Sequence, residues 1–468
     1  MATYVSMKPG SVMAILLEKA VNYVNVMGSK PTDSFPGTTA LYTGATPRTS
    51  GVWYDDVWDR SLYTFQSNCT GTPGFEVLND ETIDVNSTAL DGGGAFNLTH
   101  LSYYKTSWGS CAYLLPHNWL RVKTIFEVVR ENGGFTKMTD KHPSYEIFNG
   151  PSGTGIYVHS IFVSTDIKEG YFPEINAVAS TVGPTEVYDD LHWQAMYNWT
   201  GGNFRSPVQS LMLIEENGTK DPHGTPNLYT SNFQLFSVAQ KEYGYLNGST
   251  SAKPIFNPNV TAALDIIDAN IGTLVARMKT AGTYSSTLLI VCAKHGQAPI
   301  DPNTLHLIDP SAITNATNVS LAQVTSDDIG LIWLTDPTIE NVNQAKSDFI
   351  KAGASIGIRD VIAGPEVWQH GYGDPRLDPR VPDIIIQVTP GVIYTSVTAT
   401  KVMEHGGLNP DDLTTAIFVH NPSISAATVT ELVFTRQIAV TALTALGAPV
   451  NQLDGAQQDG TVVLPGLF

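Results

Sequence analysis

The stretch Thr287-Leu-Leu-Ile-Val-Cys-Ala293, followed at once by Lys294-His295-Gly296-Gln297, constrains this chain more than any other. A short apolar run that is entered from a turn and left through glycine reads as a buried strand of a parallel sheet. Open α/β sheets bind ligands beyond the carboxyl ends of their strands, so Lys294 and His295 are expected at the rim of a site. Upstream, Val260, Leu264, Ile267, Ile271, Leu274, Val275 and Met278 recur at helical spacing. Asn259 is expected to cap the start of that helix and Gly282 to close its end. Helix, turn and strand together deliver His295 to the rim.

At 468 residues the chain can bury a large core. Helix and strand patterns alternate through most of it without a long charged or low-complexity linker, which predicts one α/β domain spanning 1–468. An irregular insertion rich in Gly, Asn and Thr is expected near 55–112. Charged residues make up 15% and the net charge is −18, so the chain lacks the concentrated basic face that a nucleic-acid polymer requires. No apolar run is long enough to span a membrane.

Cys69 and Cys111 are placed to form one bridge in the insertion, and Cys292 reads as a small core residue. Sequons at Asn68, Asn86, Asn97, Asn198, Asn217, Asn247, Asn259, Asn315 and Asn318 favour a secreted or extracellular glycoprotein. The opening Met1-Ala-Thr-Tyr-Val lacks the basic start and the apolar stretch of a signal peptide.

From the beginning, Ser11 to Ala20 predicts a helix, Asn22 to Met27 a strand, and Gly28 to Gly37 a loop with a helix starting after it. Ser34 is thereby set just before a helix N-terminus, where backbone N–H groups and the helix dipole favour an anion. A serine there suits nucleophilic phosphoryl or sulfuryl transfer; alternatively Asp33 or Ser34 only caps the helix. Trp119 to Arg130 predicts a helix, and Phe135 to Thr139 a strand running into Asp140-Lys141-His142. Asp140 and His142 are thus near-site, substrate-binding candidates. Asn149 to Gly155 is a structural turn whose glycines do not match a phosphate-binding loop. A helix over Thr185–Tyr197, a solvated turn at Asp221-Pro-His223 and a buried strand over Asn232–Ala239 follow. Later strands are expected at Ile329–Leu334, Pro382–Val388 and Ala416–Val419, with helices at Thr338–Ala352 and Glu431–Leu446. Between them His405-Gly406 repeats the His-Gly step.

The ordered set Asp33-Ser-Phe-Pro-Gly37, Ala293-Lys-His-Gly296, Pro382-Asp-Ile-Ile385, Glu404-His-Gly406 and Thr435-Arg-Gln-Ile-Ala-Val-Thr441 resembles the alkaline phosphatase superfamily. Within it the chain looks most like the type I phosphodiesterase and nucleotide pyrophosphatase branch. The resemblance implies a three-layer α/β sandwich, with a mostly parallel central sheet covered by helices on both faces and carrying loop insertions. It also implies hydrolysis of phosphate esters of a small anionic substrate at paired divalent metals, usually zinc. Carried over by position, Ser34 matches the family's nucleophile, and His295 and His405 match metal-binding histidines.

The chain departs from this pattern at several points. The family opens with an apolar strand ending in a metal-binding Asp-Gly, and the sequence given starts after that element. Lys294 stands where the family's Asp-His-Gly step has its Asp, and Gln240-Lys241-Glu242-Tyr243 stands where an Asp-x-x-x-His pair is expected. A site stripped of these carboxylates holds two zinc ions poorly. The reading preferred on sequence is a divergent phosphate-ester hydrolase with a reduced metal site, or with Lys294 as the second positive charge, because Ser34, His295 and His405 stand in order. A non-catalytic relative that binds an anionic ligand or a protein is a second reading. A metal-independent lyase or transferase using Ser34, Lys294 and the two histidines is a third.

Overall fold

A computed structural model describes residues 1–86, 96–141, 143–155, 161–163 and 225–468. His142, the helix expected over 185–197 and the turn at 221–223 lie outside the described residues.

The strands that position the site are β1 (Val21–Tyr23), β2 (Thr136–Lys141), β3 (Ile161–Val163), β4 (Leu228–Ser231), β5 (Leu289–Cys292), β6 (Leu321–Ser326), β7 (Ile329–Leu334), β8 (Ile358–Ala363), β9 (Ile384–Val388), β10 (Ile417–His420) and β11 (Ala427–Val429). They form a sheet in the order β5-β10-β1-β11, a parallel sheet in the order β3-β2-β4, and an antiparallel sheet in the order β6-β7-β9-β8. In the first, β10 runs antiparallel to both β1 and β5, while β11 is parallel to β1. The helices used below are α1 (Val12–Leu17), α2 (Ser34–Thr43), α3 (Ile125–Glu131), α4 (Leu235–Tyr243), α5 (Pro258–Ala281), α6 (Ile339–Ala352) and α7 (Gln437–Leu446).

The first sheet has helices on both faces. Ile417 and Val419 of β10 pack with Leu41 and Tyr42 of α2, Phe126 of α3 and Leu443 of α7, whereas Phe418 packs with Leu16 of α1 and with Val260 and Ile267 of α5. Alternate residues of one strand thus serve two separate cores, as the two-residue period of a strand requires. Val260, Leu264, Ile267, Ile271, Val275 and Met278 are all buried along α5, each contributing about 1.5–3 kcal/mol of transfer free energy.

For the described residues, the expectation of a mostly parallel sheet around the 287–293 strand is corrected. Among the described residues the sheets are mixed, and β5 is an edge strand paired antiparallel with β10, Leu289 opposite His420 and Cys292 opposite Ile417. An apolar run reports burial of both faces of a strand. It does not report the direction of its neighbour, and the expected burial is only partial: Leu289–Cys292 are all half-buried, since β5 packs on a core from each face but also lines a cavity. Leu288, Ile290 and Cys292 face one core, and Leu289 and Val291 face the other. A cavity of about 1160 Å³ is lined by β5 and by β4 of the parallel sheet, with α2, α5 and α7 around it.

Other boundaries move for local reasons. α5 is capped by Asn257, not Asn259: Pro258 takes the first helical position, where its missing N–H costs nothing, and the Asn257 side chain accepts from the N–H of Asn259. Gly282 closes it in the left-handed region, as expected. The strand expected over Asn232–Ala239 is corrected to helix α4, since Leu235, Ala239 and Gln240 are its buried residues and follow a helical period. The helix expected over Trp119–Arg130 is split into Pro116–Trp119 and α3, which starts at a capping box between Thr124 and Glu127. The insertion carries the Cys69–Cys111 disulfide and short antiparallel pairs, Asp56–Asp59 with Phe75–Leu78 and Tyr103–Lys105 with Cys111–Tyr113. Among the described residues no helix is long and apolar enough to cross a membrane.

Candidate functional site

Asp33 and Ser34 divide the work at the start of α2. Asp33 sits in extended conformation as the N-cap, its Oδ2 accepting from the N–H of Phe35 at 2.9 Å. Ser34 is left as the first helical residue, 3% exposed, with its hydroxyl 3.4 Å from Nε2 of His295. His295 Nδ1 lies 2.8 Å from the carbonyl oxygen of Gly296. A carbonyl only accepts, so Nδ1 carries the ring proton and a neutral ring turns an unprotonated Nε2 toward Ser34. Burial first, and then the charge of Lys294, hold the His295 pKa well below its ordinary value, with the Gly296 bond opposing. The ring is therefore a neutral acceptor near pH 7.

Close backbone approaches set this geometry. A Cβ at Gly37 would lie 2.5 Å from the Lys294 carbonyl oxygen, so only glycine lets α2 lie against the end of β5. Thr32 ties the start of α2 to the late loop: its Oγ1 donates to Gly407 O at 3.0 Å, and its N–H donates to Gly406 O at 3.4 Å. That clamp carries His405 in. The His405 ring centroid is 3.9 Å from that of His295, and its Nδ1 is 3.7 Å from Asp33 Oδ1. Burial, with the neighbouring His295 and the lysine charges, pushes the His405 pKa well down as well. Gly406 follows at φ 117°, with the Tyr54 hydroxyl where a side chain would stand.

Around the histidines the cations are lysines. Lys241 of α4 bonds Glu404 Oε1 at 2.5 Å, and Lys401 pairs with the other oxygen of the same carboxylate. Lys294 donates to the Tyr145 hydroxyl at 3.4 Å. Burial lowers its pKa to about 7, aided by the charge of Lys141 and opposed by Asp140 and Asp33. Asp140, at the end of β2, is fully buried, and its Oδ1 accepts from Asn232 Nδ2 and from the N–H of Lys141, both at 2.8 Å. Its charge reaches Lys294, but the two do not form an ion pair.

Ser34, His295 and His405 therefore converge from three distant parts of the chain, with Lys294 and Asp140 beside them. Sequence reasoning did not assign roles to Lys141, Tyr145 or Glu404. Lys141 had a signal, since it follows Asp140 at a strand end, whereas Tyr145 had none. Lys241 was visible only as the residue standing where a metal-ligand pair was expected.

Among the described residues the donor set does not fit a pair of divalent metals. Among the described residues, no three His, Cys, Asp or Glu side chains come together as a group that could hold a metal ion. The nitrogens of His295 are directed at Ser34 and Gly296, and Glu404 is taken by two ammonium groups.

A family model described as type I phosphodiesterase / nucleotide pyrophosphatase matches residues 2–408. Among solved structures, murine ectonucleotide pyrophosphatase / phosphodiesterase 5 is similar in fold, with a TM-score of 0.58 at 11% identity, covering 96% of this chain and 92% of that one. An inactive variant of the same murine protein in complex with AMP gives the same TM-score, identity and coverage. No curated protein sequence matches the chain.

Proposed function

The chain belongs to the type I phosphodiesterase / nucleotide pyrophosphatase family, and from that premise we propose that it hydrolyses a phosphodiester or pyrophosphate bond in a small anionic substrate, with Ser34 as nucleophile and His295 as its base. The observation that carries this reading is the 3.4 Å approach of Ser34 Oγ to an unprotonated His295 Nε2 whose tautomer is set by Gly296. Ser34 Oγ forms a bond to phosphorus as the bond to the leaving alcohol breaks; His295 Nε2 takes the seryl proton, and the leaving oxygen takes one from water. In the second half water forms the new P–O bond and gives its proton to the hydroxide left by the first half. His295 then returns its proton to the departing Ser34 oxygen. The positive end of α2 faces the charge that develops on the phosphoryl oxygens. The murine relative holds AMP in its inactive form, so a nucleotide ester is a reasonable first substrate.

A secreted or extracellular glycoprotein fits the same reading. The Cys69–Cys111 disulfide suits an oxidising compartment, and Asn68, Asn86, Asn247, Asn315 and Asn318 are exposed.

Turnover of a chromogenic phosphodiester, with mass spectrometry of the quenched enzyme, tests the proposal. Wild type is expected to release the alcohol and accumulate a covalent adduct on Ser34, and Ser34→Ala to do neither. Turnover that survives Ser34→Ala would overturn the serine mechanism, and a protein that binds AMP yet hydrolyses no phosphodiester would favour the non-catalytic reading.

A further inference from the structure

We infer that Lys141 and Lys294 together form a metal-free cradle for a phosphate group, taking the place that divalent cations hold in the family's chemistry. This rests on the reading of the site as one for phosphate esters. The two ammonium groups lie against one buried ring: Lys294 Nζ is 5.7 Å and Lys141 Nζ 5.8 Å from the Tyr145 centroid. That ring packs at 4.8 Å on the ring of Phe35, the residue after Ser34, so both cations are held at the start of α2. They come from the carboxyl ends of β2 and β5, which belong to different sheets, and they converge only in the folded chain.

The partners already present leave these cations available. Lys241 and Lys401 are consumed by Glu404. Of the acids that face the cradle, Asp33 accepts from the N–H of Phe35, Asp140 accepts from Asn232 and from the N–H of Lys141, and Asp55, near Lys141, is held well above the usual carboxylate range by burial and by Asp33. Lys294 has one long contact to the Tyr145 hydroxyl, and among the described residues neither Lys141 nor Lys294 forms an ion pair. Lys294 has only a ring face and one long hydroxyl contact in place of the hydration it has lost, so an oxyanion bound there would recover that energy, and the partly buried Lys141 adds a second positive charge. The dipole at Ser34 has the same sign. His405 adds a buried Nδ1 that has no hydrogen-bond partner among the described residues and lies 3.7 Å from Asp33 Oδ1.

The test uses the full chain after exhaustive chelation, with inorganic phosphate as probe and calorimetry as readout. Phosphate is expected to bind with the same affinity in the presence and absence of chelator, and Lys294→Met and Lys141→Met are each expected to weaken it by about tenfold or more. Lys294→Arg keeps the charge and is expected to keep most of the affinity. If Lys294→Met does not fold, Lys141→Met carries the test, because Lys141 lies at the end of its strand and is only partly buried. Binding that disappears on chelation and returns with zinc would overturn the inference, as would binding indifferent to both methionine variants. Lysine-dependent, chelator-resistant binding in a protein whose turnover survives Ser34→Ala would leave the cradle standing and remove the hydrolytic mechanism proposed above.

Discussion

Ser34 Oγ and His295 Nε2, 261 positions apart in sequence, face each other at 3.4 Å because Asp33 has taken over the helix cap and the Gly296 carbonyl accepts from Nδ1–H of the ring. If the pair acts as one unit, Ser34→Ala and His295→Gln each lower kcat by about 10²–10⁴-fold, and the double variant is scarcely worse than either single one. Steady-state kinetics on one phosphodiester checks this. Multiplicative losses would show that the two side chains act separately.

Lys294 gives the site a pH dependence of definite sign. Its pKa is drawn down to about 7, so the side chain is charged below that pH and neutral above it. The KM for a phosphodiester, whose own charge is constant over this range, is expected to rise as pH passes upward through about 7. Lys294→Arg keeps its charge and should abolish the rise. A profile that is the same for both proteins would place the titration elsewhere.

Gly37→Ala tests the approach of α2 to β5. The added methyl would sit 2.5 Å from the Lys294 carbonyl oxygen, and backbone cannot rotate aside as a side chain can. The helix must shift, carrying Ser34 off His295, and a displacement near 1 Å costs about 10²-fold in rate. The protein is expected to fold, by circular dichroism, with kcat reduced by about that factor.

Asp56 is a stability site outside the Ser34–His295 pair. Its pKa is raised to about 8, by burial first and then by Glu76, while its Oδ2 accepts from Thr325 at 3.0 Å and Gln323 at 3.1 Å. Because the folded pKa lies above the unfolded value, the folded state binds more protons between the two, and this group's contribution to stability falls as pH rises through that window. Asp56→Asn removes the penalty. Its Tm should exceed that of wild type at about pH 8 and match it near pH 4, the low end of the window. Equal gains at both would point to packing instead.

The Cys69–Cys111 bridge closes a loop of 42 residues, which on chain entropy corresponds to about 4 kcal/mol. Cys69→Ala with Cys111→Ala is expected to lower Tm and to expose the insertion to protease first. Cys292 lines the cavity half-buried, and with its thiol pushed up to about 12 by burial it should alkylate slowly near pH 7 in both proteins and faster on unfolding.

Local signals in the chain were sufficient for much of this. The period of Val260 to Met278 determined α5, the run at Ile329–Leu334 determined β7, and Gly282 marked a helix end, because each rests on residues within a few turns of one another. Ser34 at a helix start and His295 after a strand were legible for the same reason. The sequence could not decide what surrounds a strand. The 287–293 run told that β5 packs against apolar side chains on both faces, yet whether its neighbour runs parallel or antiparallel depends on β10, about 125 positions later. Nor could it decide which atoms the histidines turn toward. A His-Gly step suits a metal ligand or a general base equally well, and the neighbours that bear on the choice, the Gly296 carbonyl, the Ser34 hydroxyl and the lysines gathered from β2, α4 and β5, meet only in the fold. Electrostatics acts over a few ångströms of space, and those ångströms exist only after the chain has folded.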